Sequence, residues 1–353
     1  MQPITVLIVD DSALIRHLFT EMLSGDPGIK VVGTAIDPLD AREKIKQLNP
    51  DVLTLDIEMP KMDGLAFLEK IMTLRPMPVI MASTLTQNGA AETIRALELG
   101  AVEYISKPTG MRLDDGLEHL KAELISKVHI AARANIGTRA VTTKTSTALA
   151  YTPHAAAPQI IAIGSSTGGV EALRDVFARL PGNLPPIVMT QHMPATFTPS
   201  FAARLDSLSP ITVAEARQGQ RLLPGHAYLA PGNQHLHIAR SGTEFIARLD
   251  ENPPVSGHRP SVDVLFDSVA HYAGGNAVGV ILTGMGKDGA NGLLKMREQG
   301  AQTIGQNQAS CVVYGMPKAA MAIGAVAIET ALSDIPAQIV AACQNRRRAH
   351  ASL

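Results

Sequence analysis

Cysteine is nearly absent. Cys311 and Cys343 are the only two in 353 residues, and they stand in unrelated contexts. That argues against a disulfide framework or a cysteine-based zinc site, and it fits a reducing cytoplasm. An excess of charge of one sign is also missing. Lys plus Arg number 31 against 32 Asp plus Glu, a formal net charge of −1. No global basic field draws the chain to nucleic acid or to an anionic membrane. The one dense basic run, Arg346-Arg347-Arg348, reads as part of a solvated tail, 346–353. No apolar run approaches the roughly eighteen residues of a membrane span. Residues 1–9 lack the basic and then apolar pattern of a signal peptide. No repeat with a period of about 20–50 residues is present, which excludes a solenoid. The expectation is a soluble cytoplasmic protein without direct membrane insertion.

What the sequence does have is two strand–helix series. With 46% hydrophobic and 18% charged residues the chain is neither disordered nor a solvated coil, and its length suits two domains. In the first series, short apolar runs at 6–9, 31–32, 51–55, 78–81 and 103–106 read as strands. Amphipathic stretches at 12–23, 39–48, 64–74 and 90–99 read as helices between them. Five strands alternating with helices imply a parallel sheet with right-handed crossovers, its functional groups gathered at the carboxyl ends of the strands. Residues 118–128 read as a last helix. From about 131 to 158 periodicity gives way to Thr, Ala, Ser and Pro, an interdomain linker. The second series has strands at 160–163, 187–189, 277–282, 303–304 and 325–328, with helices at 170–180 and 293–299. Its Gly- and Pro-rich middle, 211–250, reads as an antiparallel insertion or edge.

Acids close two strands of the first series: Asp10 and Asp11 after the first, Asp56 after the third. Converging carboxylates repel unless a cation neutralises them, and hard oxygen donors suit Mg²⁺. A carboxylate beside Mg²⁺ can attack a phosphoryl group. Ser83 and Lys107, at the fourth and fifth strand ends, offer a hydroxyl and a cation for phosphoryl oxygens. Any one of these acids alone reads equally well as a loop cap; the joint pattern is the specific signal. Over residues 4–121 the motifs Val9-Asp10-Asp11-Ser12, Leu55-Asp56-Ile57-Glu58-Met59-Pro60, Met62-Asp63-Gly64 and Lys107-Pro108 resemble the response-regulator receiver domain of two-component signalling. The resemblance implies a flavodoxin-like fold and a phosphorylated Asp56. It also implies Mg²⁺ held by Asp11, Asp56 and the Glu58 carbonyl, with Asp10 beside them, and a switch made of Ser83, Lys107 and Tyr104. For Tyr104 a half-buried strand tyrosine is the plainer reading.

In the second series Gly164-Ser165-Ser166-Thr167-Gly168 fits G-x-S-x-G between a strand and a helix, the context of a nucleophile elbow with Ser166 at its centre. A phosphate-binding glycine turn is the competing reading, but the lysine of a P-loop is missing. A serine needs a base and the base an orienting acid. His192 and Asp288 each follow a buried strand, although either alone would read as structural. The order Ser, His, Asp differs from ordinary α/β-hydrolases.

Residues 160–331 resemble the catalytic domain of the protein-glutamate methylesterase/protein-glutamine glutaminase (CheB) family of bacterial chemotaxis. The matching stretches include Ile163-Gly164-Ser165-Ser166-Thr167-Gly168-Gly169, Gln191-His192-Met193-Pro194, Arg259-Pro260-Ser261-Val262-Asp263 and Leu282-Thr283-Gly284-Met285-Gly286. The resemblance implies Ser166 as nucleophile, His192 as general base, Asp288 as orienting acid, the Met285 amide at the oxyanion and Thr167 lining the site, with no cofactor for the esterase. Ser165 stands where a smaller residue is expected.

The implied fold class is α/β with two domains: a flavodoxin-like five-stranded receiver at 1–122, then a helix end and linker at 123–157. A Rossmann-like doubly wound hydrolase domain with an antiparallel insertion follows at 158–345. The implied activity is hydrolysis of glutamate γ-methyl esters, and deamidation of glutamine, on methyl-accepting chemotaxis receptors. A chemotaxis histidine kinase would be the phosphodonor, and the unphosphorylated receiver would restrain the esterase. A DNA-binding regulator would carry a short basic helical output domain instead. A phosphorylated binding module without catalysis, and an esterase acting on another methylated receptor or a small ester, remain as alternatives.

Overall fold

The computed structural model describes residues 2–59, 63–84, 86–108, 115–136, 149–153 and 160–344. The Thr-rich heart of the expected linker, Pro60, Met62 and the Arg346–348 run lie outside the described residues. The chain divides into two compact units, Met1–Val141 and Thr142–Leu353.

Unit one alternates β1 (Ile4–Val9), α1 (Ala13–Ser24), β2 (Ile29–Ala35), α2 (Pro38–Leu48), β3 (Val52–Asp56), α3 (Gly64–Leu74), β4 (Val79–Ser83), α4 (Gln87–Glu98), β5 (Glu103–Ser106) and α5 (Asp115–Ala131). The sheet order β2-β1-β3-β4-β5 is wholly parallel. Helices cover both faces, so the central strands are buried along their length, with few polar residues such as Thr54: Val6 to Val9 and Val79 to Met81 are at most 1% exposed. Helix starts follow local capping chemistry. The Ser12 hydroxyl accepts from the Ile15 amide, Asp37 from Leu39 and Asp40, and Asp63 from Leu65. Helix α5 runs on to Ala131.

Unit two holds β6 (Ile160–Ser165), α6 (Gly169–Phe177), β7 (Ile187–Gln191), α7 (Thr198–Leu208), β8 (Thr212–Glu215), β9 (His226–Leu229), β10 (His235–Ser241), β11 (Glu244–Asp250), α8 (Val262–Ala273), β12 (Ala277–Ile281), α9 (Ala290–Glu298), β13 (Gln302–Gln306), α10 (Met316–Ala322), β14 (Ile328–Thr330) and α11 (Ile335–Gln344). Seven strands form one parallel sheet in the order β14-β13-β12-β6-β7-β9-β8. Beside it lies the antiparallel hairpin β10–β11.

Two readings change here. Within 211–250 the antiparallel pairing is confined to β10, β11 and a bridge from Arg221 to Ile246; β8 and β9 extend the parallel sheet. Gly219, Pro224 and Gly225 mark the bends of a long β8–β9 connection and look, in sequence, like hairpin turns. The last strand begins at Ile328, not 325: Ala325 and Val326 are buried loop residues packed on the core. Apolar burial identifies both kinds of residue and does not by itself distinguish strand from tightly packed loop.

Candidate functional sites

In unit one the parallel sheet delivers its acids to one edge. Asp10 and Asp56 are 1% and 2% exposed, and Asp11 is exposed. Carboxylate oxygens of the three lie within 4.8 Å of one another. Lys107 bridges two of them, its Nζ 2.8 Å from Asp10 Oδ2 and 2.6 Å from Asp56 Oδ1. Asp10 Oδ1 accepts from the Ser12 amide, and Asp56 Oδ1 from the Glu58 amide at 3.2 Å. Asp56 Oδ2 is buried with no hydrogen-bond partner among the described residues. Among the described residues nothing bonds this oxygen of the central carboxylate, which is therefore open to a ligand. Burial pushes Asp56 up to about 6, with Asp10 adding to the rise and Lys107 opposing it. Burial alone would lower Lys107, but its hydrogen bonds to Asp10 and Asp56 outweigh that and hold it above the usual lysine range. One cation shared between two buried acids, with a third acid adjacent, is a donor set of hard oxygens that fits a divalent ion such as Mg²⁺.

The other two switch candidates have side-chain partners of their own, although the Ser83 carbonyl accepts from the Lys107 amide at 2.7 Å. The Ser83 hydroxyl donates toward the carbonyls of Thr84 and Gly89 and accepts from Thr93 Oγ1 at 2.8 Å, which ties it to the start of α4. Tyr104 is buried, its ring under the Lys127 ammonium at 4.6 Å. Burial holds its hydroxyl well above the usual tyrosine range. Lys127 is also 2.6 Å from Glu123 and donates to the Tyr104 carbonyl. Thr93 and Lys127 carried no signal in the sequence, because a helical Thr and a helical Lys are ordinary until a tertiary neighbour gives them a task.

In unit two, adjacent strands β12, β6 and β7 end at one edge. Ser166 leaves β6 at a sharp turn, and Gly168, at φ 76°, starts α6. That left-handed conformation costs a side-chain-bearing residue free energy, which explains the glycine. The Ser166 amide donates to the Thr283 carbonyl, and Thr283 Oγ1 donates to the Thr167 carbonyl, so the loop after β12 is strapped to the elbow. A Cβ on Gly284 would stand 2.8 Å from Ser166 Cβ and 2.3 Å from Met316 Sδ; only glycine allows this approach. Met285, next along, is 45% exposed at the same edge, and Thr167 is buried. Ser165 is not a neutral substitute for a smaller residue. Its hydroxyl donates to Gln191 Oε1 at 2.7 Å, and Gln191 Nε2 returns a bond to the Ser166 carbonyl.

His192 follows β7. Its Nε2 lies 2.8 Å from Asp288 Oδ2, while Nδ1 is buried without a hydrogen-bond partner among the described residues. A neutral imidazole bonded this way carries its proton on Nε2 and its lone pair on Nδ1. Asp288 is 1% exposed and sits at the amino end of α8. Its Oδ1 accepts from Ser261 Oγ (2.8 Å) and the Asp263 amide, and its Oδ2 from the Val262 amide (2.7 Å) as well as His192. Burial would raise this carboxyl; the bond and charge of His192 and the two helix amides more than offset it and hold it below the usual range. Helix N-termini favour anions in this way.

Three residues escaped the sequence reading. Ser261 both caps α8 and holds Asp288. Buried His235 accepts from the Ser261 amide at Nδ1 and donates to the Pro253 carbonyl from Nε2. His258 stacks on His192. The motif Arg259-Pro260-Ser261-Val262-Asp263 was visible, but which acid its helix would receive was not.

A receiver-like unit joined to a doubly wound α/β unit, with Ser, His and Asp gathered at its sheet edge, defines a two-domain class. Comparison places the chain within it. The profile of the CheB methylesterase family matches residues 161–339, and that of the response regulator receiver domain matches residues 6–118. The chain is 54% identical over 352 residues to the protein-glutamate methylesterase/protein-glutamine glutaminase of Paraburkholderia xenovorans, covering 97% of each. It is 53% identical over 341 residues to that of Methylobacillus flagellatus, covering 96% of each. The solved CheB methylesterase catalytic domain of Thermotoga maritima matches with a TM-score of 0.52 and 40% identity, over 52% of this chain and 98% of that one. The chain belongs to the CheB methylesterase family.

Proposed function

We propose that the protein is a phosphorylation-activated hydrolase that removes methyl esters from glutamate side chains, and amide nitrogen from glutamine, on methyl-accepting chemotaxis receptors in the cytoplasm. The observation that carries the proposal is the hydrogen bond from His192 Nε2 to buried Asp288, which leaves Nδ1 as the nitrogen able to take a proton, on a residue that follows the strand paired with the one ending at Ser165. This is the reverse of the ring orientation in chymotrypsin-type triads, where Nδ1 faces the acid.

Ser166 Oγ attacks the γ-ester carbonyl carbon as His192 Nδ1 takes its proton. Asp288 keeps the tautomer and stabilises the imidazolium. The Met285 amide supports the tetrahedral oxyanion and Thr167 lines the site. The His192 proton passes to the methoxide oxygen and methanol leaves. Water then attacks the acyl-enzyme with His192 again as base, giving free glutamate and Ser166. With glutamine, ammonia is the leaving group.

In the receiver, Asp56 accepts a phosphoryl group from a chemotaxis histidine kinase. Asp10, Asp11, Asp56 and the Glu58 carbonyl would hold Mg²⁺, which supplies charge neutralisation of the phosphoryl oxygens. Lys107 contacts the acyl phosphate, Ser83 exchanges its α4 partners for a phosphoryl oxygen, and Tyr104 moves with it.

The test is methanol release from methylated receptor membranes with and without a small phosphodonor and Mg²⁺. Release that rises with phosphodonor and vanishes in Ser166→Ala is expected. Release that persists in Ser166→Ala would overturn the nucleophile, and no release under either condition would favour a phosphorylated binding module.

A further inference from the structure

His258 lies on a two-residue turn. Val255 and His258 exchange both backbone hydrogen bonds at 3.0 Å, and the central residues Ser256 and Gly257 have φ of 54° and 81°. Positive φ at both central positions is the tight, mirror-image hairpin turn. Beyond it, Arg259 Nη1 donates to the carbonyls of Glu251 (2.6 Å) and Asn252 (3.2 Å), which returns the far side of the turn to the segment that enters it. Ser261, three residues on, is the cap that holds Asp288. The segment bearing His258 is thus fixed to the helix end that grips the acid.

The imidazole of His258 lies flat on that of His192, with ring centroids 3.7 Å apart and planes 12° from parallel. The Asp288 bond restrains rotation of the His192 ring within its plane, because it fixes one edge. It does little against tilt, because a single hydrogen bond tolerates tens of degrees of misalignment. A flat ring in contact with one face restrains tilt. The titratable groups that face His258 are His192 and Asp288. Burial, reinforced by the charge of His192, holds His258 down to about 4, against an opposing pull from Asp288. At neutral pH His258 is therefore an uncharged ring. An uncharged π face attracts a cation, whereas a second imidazolium would repel it.

The geometry points to His258 as a positioning residue of the hydrolytic reaction: it sets the plane of His192 and stabilises the imidazolium formed when Ser166 gives up its proton. The inference rests on His192 being the general base. It is a role exerted through the base, without contact to substrate.

The experiment uses the full chain at saturating phosphodonor and Mg²⁺, with kcat and KM for methanol release measured from pH 5 to 9 and each variant divided by wild type at every pH, so that effects of the receiver cancel. His258→Phe keeps a flat ring, His258→Leu keeps the bulk and excludes water but has no π face, and His192→Ala removes the base. The expected result is that the Leu variant loses about 10- to 100-fold in kcat with KM within about twofold. Its acid limb should move down by about 0.5 pH unit, because the protonated base has lost its stabilising face. The Phe variant should stay within about threefold of wild type with an unmoved limb. A Leu variant equal to wild type, or a Phe variant as slow as Leu, overturns the assignment while His192→Ala remains inactive. An active His192→Ala overturns the general-base reading as well.

Discussion

Asp288 has four donors on two oxygens: His192 Nε2, Ser261 Oγ and the amides of Val262 and Asp263. Asparagine at this position offers one acceptor oxygen and two unwanted donors, so it cannot satisfy the helix end and fix the His192 tautomer together. Asp288→Asn should lower kcat by about 10³- to 10⁴-fold with little change in KM, as measured by methanol release; a kcat within tenfold of wild type would argue against the pairing. At the other site the balance of charge is reversed, because two buried acids share one lysine. The folded-state value of Asp56, about 6, stands above its ordinary 3.8. The stabilisation linked to this group is therefore full below 3.8 and is lost as pH rises through about 6. At neutral pH the ionised carboxylate costs the receiver on the order of 1–3 kcal/mol. Asp56→Asn leaves Lys107 paired with Asp10 alone. In metal-free buffer at pH 7.5 it should raise the stability of the receiver by about 1 kcal/mol in urea unfolding, and the gain should disappear by pH 4. A destabilised variant at pH 7.5 would contradict this account of the site.

Among the elements, the amino end of α8 carries the most. Ser261 accepts from the Val264 amide and donates to Asp288, so one hydroxyl both starts the helix and steadies the acid. Ser261→Ala should cost about 1 kcal/mol of stability as a lost cap, and should lower kcat beyond what that loss explains. Unfolding and turnover measured on the same preparation separate the two effects. The element also shows where sequence stops being legible. The strands of both sheets, the elbow at Ser166 and the acids at Asp10 and Asp56 were readable because each is a local pattern: an apolar run, a turn that needs small residues, a charge just past a strand. The partners His192 and Asp288 were readable only as a set with Ser166, each just past a buried strand, and the family resemblance strengthened them, since a lone His or Asp after a strand has plainer explanations. The roles of His235, His258, Thr93 and Lys127 were not readable, and Ser261 was visible only as part of a motif. Each acts through a neighbour brought to it by tertiary packing, as far as 66 residues away in the His192–His258 stack. The parallel course of β8 and β9 was missed for a related reason: a glycine-rich bend looks alike in a hairpin and in a crossover.

At the scale of the molecule, each unit has its own sheet, its own core and its own cluster of chemistry. Among the described residues no helix is long and apolar enough to cross a membrane. A chain beginning near Pro158 should fold by itself and release methanol from methylated receptors without any phosphodonor, faster than the unphosphorylated full-length protein. Circular dichroism and a methanol assay on the two forms decide this. A truncated form no faster than the full-length protein would mean that the receiver does not restrain the esterase.

The pairing of β6 with β12 sets Ile160 opposite Ala277, so the strand bearing the nucleophile completes its sheet only with chain made long after it. On the ribosome this order has a consequence. Translation at about 5–20 residues per second separates the appearance of Ser166 from that of Asp288 by roughly 6–24 s. Throughout that interval the receiver is already complete and the serine has no orienting acid behind its base. With the proposed triad, the growing polypeptide reaches full esterase activity only once Asp288, in its last fifth, has been made, so the receiver is synthesised before the activity it is proposed to govern.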